Sequence, residues 1–420
     1  MIHRWRDGGP LYERYLDHLV LDVSYIATSA AATSVPRTAA GVEVVHRTDD
    51  LAALATAAAR LRQRVGPPTR IVALADADSD VAAELRVLLG CPGETPASQA
   101  LLRDRHAMLT AVAAAGLRVP PFAVVSQSSD AMRLLAEEQV PLLLTTRFGS
   151  ASAQELLVES PADAERLGGP LAEPMVAKAV GSARRYSVDG IWDGNRLLYW
   201  RSARYLSPAG GLPGGSSDGW LGSIELDGTE ATGTGSDRLG SDRLGSDRLG
   251  SAGLPTRLAD FATAALSVLV KRPAVVHVAV FDQAIAGGEP RLGFDWASTG
   301  LAGGELPLLW QEVHGVDLAA AAIASQLDRP LPQLGTPGAG QVGGWLQIFP
   351  TVPPPCRVTS VDFSPGEWAP YAMALPRVGE LIPAGERVAA SLRFRAAGTA
   401  ELERAMRAAA GNLRLACSPL

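Results

Sequence analysis

The chain has 420 residues, of which 47% are apolar and 20% charged, and a formal net charge of −6. That length exceeds one ordinary domain, so two or three domains with their own cores are expected. The acidic balance, with a pI near 5.6, argues against a nucleic-acid surface or an anionic-membrane surface.

No apolar run approaches the roughly 20 residues that cross a bilayer. The opening stretch MIHRWRDGGPLYERY lacks the apolar core of a secretory leader. Cys91, Cys356 and Cys417 are far apart with no CxxC pair, which argues against a disulfide framework or a zinc site and favours a cytoplasmic setting. Only Lys178 and Lys271 are lysines among 38 basic residues. Together with abundant Ala, Gly and Arg this fits a GC-rich genome, although codon bias does not excuse the loss of a lysine that chemistry requires.

The first hundred residues alternate strand and helix signals. HLVLDVSYIAT (18–28) and RIVALADA (70–77) read as buried strands, and 50–65 and 80–90 as helices. Asp50 and Asp80 are candidate N-caps, and Gly66 and Gly90 are stops. Alternation at this spacing implies a doubly wound parallel sheet. A helix then starts near Asp104 and stops at Gly116, and another covers 128–139. PLLLTTRF (141–148) reads as a strand, Gly149 to Ala153 as a small-residue loop, and QELLVES (154–160) as the returning strand. MVAKAV and 185–200 supply more strands, with a turn at Asp193–Gly194.

Residues 207–255 are rich in Gly, Ser, Pro and Asp and hold the repeat GSDRLGSDRLGSDRLGS (235–251). A five-residue period suits neither helix nor strand. The segment is either a tandem expansion in an exposed loop or a flexible arm for a partner. Order returns with a helix at 256–270, strands at 274–283 and 291–297, and two helical stretches in 304–327 meeting near Gly315. A Pro/Gly linker (330–341), short strands and a helix at 399–413 complete the chain.

This order of elements resembles the ATP-grasp superfamily, in its carboxylate–amine (amino-acid or dipeptide) ligase branch. Residues 89–125 are similar to its linker and first helix. PLLLTTRFGSASAQELLV resembles its phosphate strand and flap, MVAKAVGSARRYSVDGIWDG its hinge and ribose strand, and 275–318 its two metal-bearing strands. The resemblance implies an α/β architecture. An N-terminal doubly wound parallel-sheet domain (1–100) would precede an ATP-grasp domain (101–328) of lid plus C-terminal α+β lobes, the lid near 109–190 and the insert at 207–255. A small C-terminal α+β domain (336–420) would follow. The implied cofactors are ATP and Mg, and the implied chemistry is amide formation through an acyl phosphate.

Such chemistry needs cations around a triphosphate and oxygen ligands around Mg²⁺. At the family's two lysine positions stand Arg105, which reads either as a phosphate contact keeping the charge in a planar fork or as a surface arginine in a helix's first turn, and Thr145, which brings no charge. Arg147 lies on the same strand face as Thr145 and reads either as a phosphate contact or as a solvated edge residue. Gly149, Ser150, Ala151 and Ser152 read either as a flap whose backbone N–H groups suit phosphate or as a plain hairpin turn. The family's two ribose-side glutamates fall on Lys178 and Arg185, which can only donate hydrogen bonds. Of the metal ligands, Ala279 replaces the glutamate of an H-x-E pattern begun by His277, and Asp295 is the one remaining carboxylate. His277 reads more readily as a hydrogen-bonded core residue than as a ligand.

Two readings therefore stand. One is a family member with impaired or lost catalysis that serves as a binding or regulatory module, holding a small carboxylate or amino acid or pairing in a homo- or hetero-oligomer. The other is an active Mg·ATP-dependent ligase with substituted residues. Losing one positioned charge costs on the order of 3 kcal/mol in a transition state, which favours the first. A Rossmann oxidoreductase fits poorly, because no GxGxxG follows the first strand.

Overall fold

The computed structural model describes all residues except 6–11, 150–154, 181–183, 208–218, 228–252, 284–290, 302–304, 333–339, 365, 367 and 385. β1 (Ile2–His3), β2 (Ser24–Thr28) and β3 (Gly41–Val45) form a parallel sheet with β2 central. The 70–77 stretch is not a regular strand. It contributes parallel bridges, Ala73 to Ile2 and Ala75 to Leu301. The 18–28 strand is likewise shorter than its apolar run suggests. Asp17 accepts the Leu19 N–H in a turn, leaving Leu19 and Val20 87% and 78% exposed.

α1 (Leu51–Val65) is capped by Asp50 and buries Leu54, Ala57, Ala58 and Leu61 on one stripe. α2 (Ser79–Leu89) starts a residue before Asp80, so Asp80 lies in its first turn and is not its cap; Gly90 in the left-handed region ends it. α3 (Pro96–Arg103) and α4 (Arg105–Ala114) meet at Asp104, whose carboxylate accepts the N–H groups of His106 and Ala107.

β4 (Phe122–Gln127), α5 (Ser128–Glu138), β5 (Leu142–Thr146), β6 (Glu155–Val158), α6 (Pro161–Arg166) and β7 (Pro170–Ala179) build a lid. Its sheet has the order β4-β7-β5-β6. Leu142, Leu144 and Ala177 pack with Ala131, Leu134 and Leu135 of α5. Strand alternation sends Leu143, Thr145, Val176 and Lys178 to the opposite face.

That face looks onto an antiparallel sheet of eight strands. Its first members are β8 (Arg184–Trp192), β9 (Leu197–Leu206) and β10 (Trp220–Glu225); α7 (Leu254–Leu269), β11 (Ala274–Gln283) and β12 (Arg291–Thr299) follow. Leu258, Ala262, Leu266 and Leu269 of α7 close one side over Trp192, Val276 and Val278. α8 (Leu306–His314) and α9 (Leu318–Gln326) come next, separated at Gly315 as the sequence indicates.

The chain continues through β13 (Val342–Ile348), β14 (Cys356–Phe363), β15 (Ala372–Ala374), β16 (Leu381–Ile382), β17 (Ala390–Ala396), α10 (Thr399–Asn412) and β18 (Leu413–Pro419). The large sheet runs β12-β11-β8-β9-β10-β13-β17-β15, and β16-β14-β18 form a separate sheet.

One sequence expectation changes here. The 207–255 segment is not wholly insert, because β10 within it pairs β9 on one side and β13 on the other. Within 336–420, β13, β17 and β15 extend the central sheet, while β16, β14 and β18 form a sheet of their own. The repeat at 235–251 lies outside the described residues.

Candidate functional site

The lid and the central sheet face each other across a cleft, and buried charges span it. Lys178, on β7, donates from Nζ to Oδ1 of Asp295, on β12. Arg185, on β8, holds its Nη2 2.6 Å from Asp295 Oδ2. The same guanidinium grips Glu155, on β6, through two hydrogen bonds of 2.9 Å. Lys178, Arg185 and Asp295 are 1%, 4% and 1% exposed.

Backbone register explains the meeting. Lys178 pairs Leu143 across the lid, and Glu155 pairs Thr145, so all four side chains leave the same sheet face. β12 bulges against Ala279/Val280, which aims Asp295 toward Arg185 on the strand beyond β11.

The electrostatics follow from burial. Burial alone would raise the Asp295 carboxyl, but the Arg185 and Lys178 charges overcome it and hold it below the ordinary carboxylate range. Burial lowers the Lys178 ammonium, opposed by Asp295. Burial would likewise lower Arg185, yet Asp295 and Glu155 carry it above its ordinary value. Arg105 is 5% exposed, and its guanidinium lies 5.3 Å from the centre of the Trp296 ring. Burial lowers its pKa, against the pull of Asp295 and Glu155.

The remaining predicted residues divide. Thr145 is fully buried, and its hydroxyl has no hydrogen-bond partner among the described residues. Arg147 turns to Asp104 with bonds of 2.7, 3.0 and 3.1 Å, so it fastens the start of α4 to the lid. The Arg105 N–H donates to the Arg147 carbonyl at 2.9 Å, which strengthens that seam. Gly149 follows in the left-handed region at φ 141°. Ser150 and Ser152 lie outside the described residues.

The metal positions are poor in ligands. Ala279 offers no donor atom, and Asp295 already faces two cations. His277 Nδ1 sits 2.6 Å from Asp189 Oδ1, its Nε2 3.3 Å from the Tyr205 hydroxyl, and its ring lies against Trp296, tilted by 38° with centroids 4.7 Å apart. It is the hydrogen-bonded core histidine that the sequence suggests. Among the described residues no group of three His, Cys, Asp or Glu side chains is placed to hold a metal. A Mg²⁺ site asks for one or two available carboxylates, so these residues do not fit the ion.

Glu155 is the participant that sequence reasoning missed. Its signal was its place at the start of the returning strand, which a hairpin register would have set opposite Thr145. A second buried group was also missed. Glu225 accepts from His314 at 2.8 and 2.9 Å and from the Gly343 N–H at 2.6 Å, while His314 contacts Arg201 at 3.1 Å. It ties β10 to α8 and β13 on the sheet face that also carries Arg185, since Glu225 pairs Ala203 and Ala203 pairs Ser187.

No protein-family profile matches the chain. No curated protein matches it by sequence either. Solved structures do match over nearly the whole length. An L-amino acid ligase from Bacillus licheniformis superposes with a TM-score of 0.67 at 13% identity, covering 99% of this chain and 97% of the ligase. An N5-carboxyaminoimidazole ribonucleotide synthetase from Thermotoga maritima gives 0.61 at 10% identity, over 99% and 98%. A biotin carboxylase from Campylobacter jejuni, solved with a β,γ-ATP ligand, gives 0.60 at 13% identity, over 99% and 92%.

Proposed function

The chain has the ATP-grasp fold, and from that premise we propose that it is a relative of ATP-dependent carboxylate–amine ligases whose cleft has lost ligase catalysis and serves as a binding or regulatory module. The observation that carries this reading is the pairing of Asp295 with both Lys178 and Arg185. A divalent cation would have to displace two buried cations from its one carboxylate. Stripping a buried ion pair of one partner costs about 3–5 kcal/mol. Arg185 is in turn committed to Glu155, so triphosphate oxygens would compete with protein carboxylates for the same guanidinium. The apolar cluster of Leu143, Val180 and Phe281 closes the neighbouring space between the sheets.

In this reading the ion network replaces a bound ligand as the element that holds lid and sheet together. The module would act in the cytoplasm, on a small carboxylate or amino acid or on a second protein copy or homologue. The full-length likeness to an L-amino acid ligase supports the second reading, an active Mg·ATP-dependent ligase. An ADP- and phosphate-release assay over a matrix of amino-acid pairs separates the two. The module releases neither product above the no-enzyme rate, whereas release that depends on both amino acids establishes the ligase.

A further inference from the structure

A cavity of about 310 Å³ lies outside the cleft network, between α2, α3, the end of α7 and α9. Small-ligand pockets begin near 300 Å³. Two buried polar side chains line it, Arg86 at 5% exposure and Gln99 at 6%.

Arg86 is held in place entirely by neutral acceptors. Its Nε and Nη2 donate to the Ile71 carbonyl at 3.0 and 2.8 Å, and Nη2 also donates to Gln326 Oε1 at 3.0 Å. Nη1 makes a single long bond of 3.4 Å to the Glu94 carbonyl. Guanidinium has five N–H donors, so one on Nη1 is left over. No carboxylate among the described residues is within ion-pair distance of this buried charge. Gly93 makes room for it: a Cβ there would stand 2.9 Å from Arg86 Cδ and Nε, and φ is +136°. Gln99 adds a donor: the residue is 6% exposed and lines the cavity, and its side-chain amide makes no hydrogen bond among the described residues, so its N–H is available to a ligand.

We propose that this cavity binds a small aliphatic monocarboxylate, received by Arg86 Nη1 and the Gln99 amide N–H, with its hydrocarbon end against Leu102 and Leu269. Of the other cations in the wall, Lys271 turns to the Ser267 carbonyl and Arg272 to Glu94 and Asp328, so Arg86 is the buried charge left to match one carboxylate. A phosphate brings more oxygens and more charge than these donors satisfy, and Glu94 in the wall opposes a dianion. The site shares no residue with the Lys178–Asp295 network, so it stands or falls apart from the proposed function.

The test is thermal-shift and calorimetric titration of the full chain with sodium 3-methylbutanoate, beside neutral 3-methylbutanamide at matched ionic strength. The carboxylate should stabilise saturably and the amide should not. Gln99→Leu should weaken carboxylate binding roughly tenfold, the loss of one charge-assisted hydrogen bond, and Gln99→Glu should abolish it. Absence of carboxylate binding, equal stabilisation by the amide, or unchanged affinity in Gln99→Leu would overturn the proposal.

Discussion

Lys178 and Asp295 form a hydrogen-bonded ion pair with side chains 1% and 0% exposed, one on the lid and one on the central sheet. The contact latches two layers that are separated by 117 residues of chain. Asp295→Ala leaves two cations buried without it and should lower unfolding free energy by about 3–5 kcal/mol. Lys178→Met combined with Asp295→Leu should cost less than the sum of its single changes, because the two residues share one interaction. Urea unfolding of the four proteins checks this.

The same pair sets an acid limit. The folded-state pKa of Asp295 is depressed, so its contribution is present above the unfolded value near 4 and lost as pH falls through the folded one. Wild type should therefore lose stability relative to Asp295→Asn only below about pH 4. Urea unfolding of both proteins at pH 7, 5 and 3 reads the difference.

The N-terminal sheet carries two opposed titrations. Burial, helped by the nearby chain terminus, lowers His3 to about 4, and burial raises Asp78 to about 6. The His3 contribution is full above its ordinary value of 6.5 and is lost as pH falls toward 4. The Asp78 contribution has the opposite sign, present at low pH and lost as pH rises through about 6. Between pH 6.5 and 4, wild type should lose roughly 3 kcal/mol relative to His3→Gln. From pH 6 down to 4 it should gain about as much relative to Asp78→Asn. Thermal unfolding in a pH series reads both differences.

Inverting the cleft charges should create a dependence on metal. Lys178→Glu with Arg185→Glu places two acids beside Asp295 and Glu155, which repel one another unless a cation arrives. The double variant should melt lower in EDTA than in Mg²⁺, while wild type melts identically in both. Differential scanning fluorimetry measures the two gaps.

Deleting the repeat at 235–251 should change stability by less than about 1 kcal/mol, since loop-closure entropy varies slowly with length. Deleting Trp220–Glu225 should abolish folding, because β10 is paired on both sides. Expression and chemical unfolding of both deletions make the comparison.

Much of this arrangement was legible in the residues. The Asp50 cap, the helix start near Asp104, the β5 run, and the break at Gly315 all follow from local chemistry, and each appears in the fold. β10 did not show itself because WLGSIE sits among Gly and Ser and becomes a strand only through β9 and β13. The 18–23 run misled in the opposite sense: it is apolar, but no neighbouring strand receives it, and a turn forms. At the cleft, the substitutions at Lys178 and Arg185 were visible as charge reversals. Their use was not visible, because pairing with Asp295 and Glu155 depends on a bulge in β12 and on the register of a hairpin.

The central claim is that protein carboxylates already occupy the cations of this cleft, and that its lone metal-side carboxylate is occupied in return. Thermal-shift titration of the full chain with ATP, with and without Mg²⁺, tests it most directly. The expected result is a flat melting temperature in both series. A Mg²⁺-dependent rise that grows with the logarithm of ATP concentration, as ligand linkage requires, would contradict it.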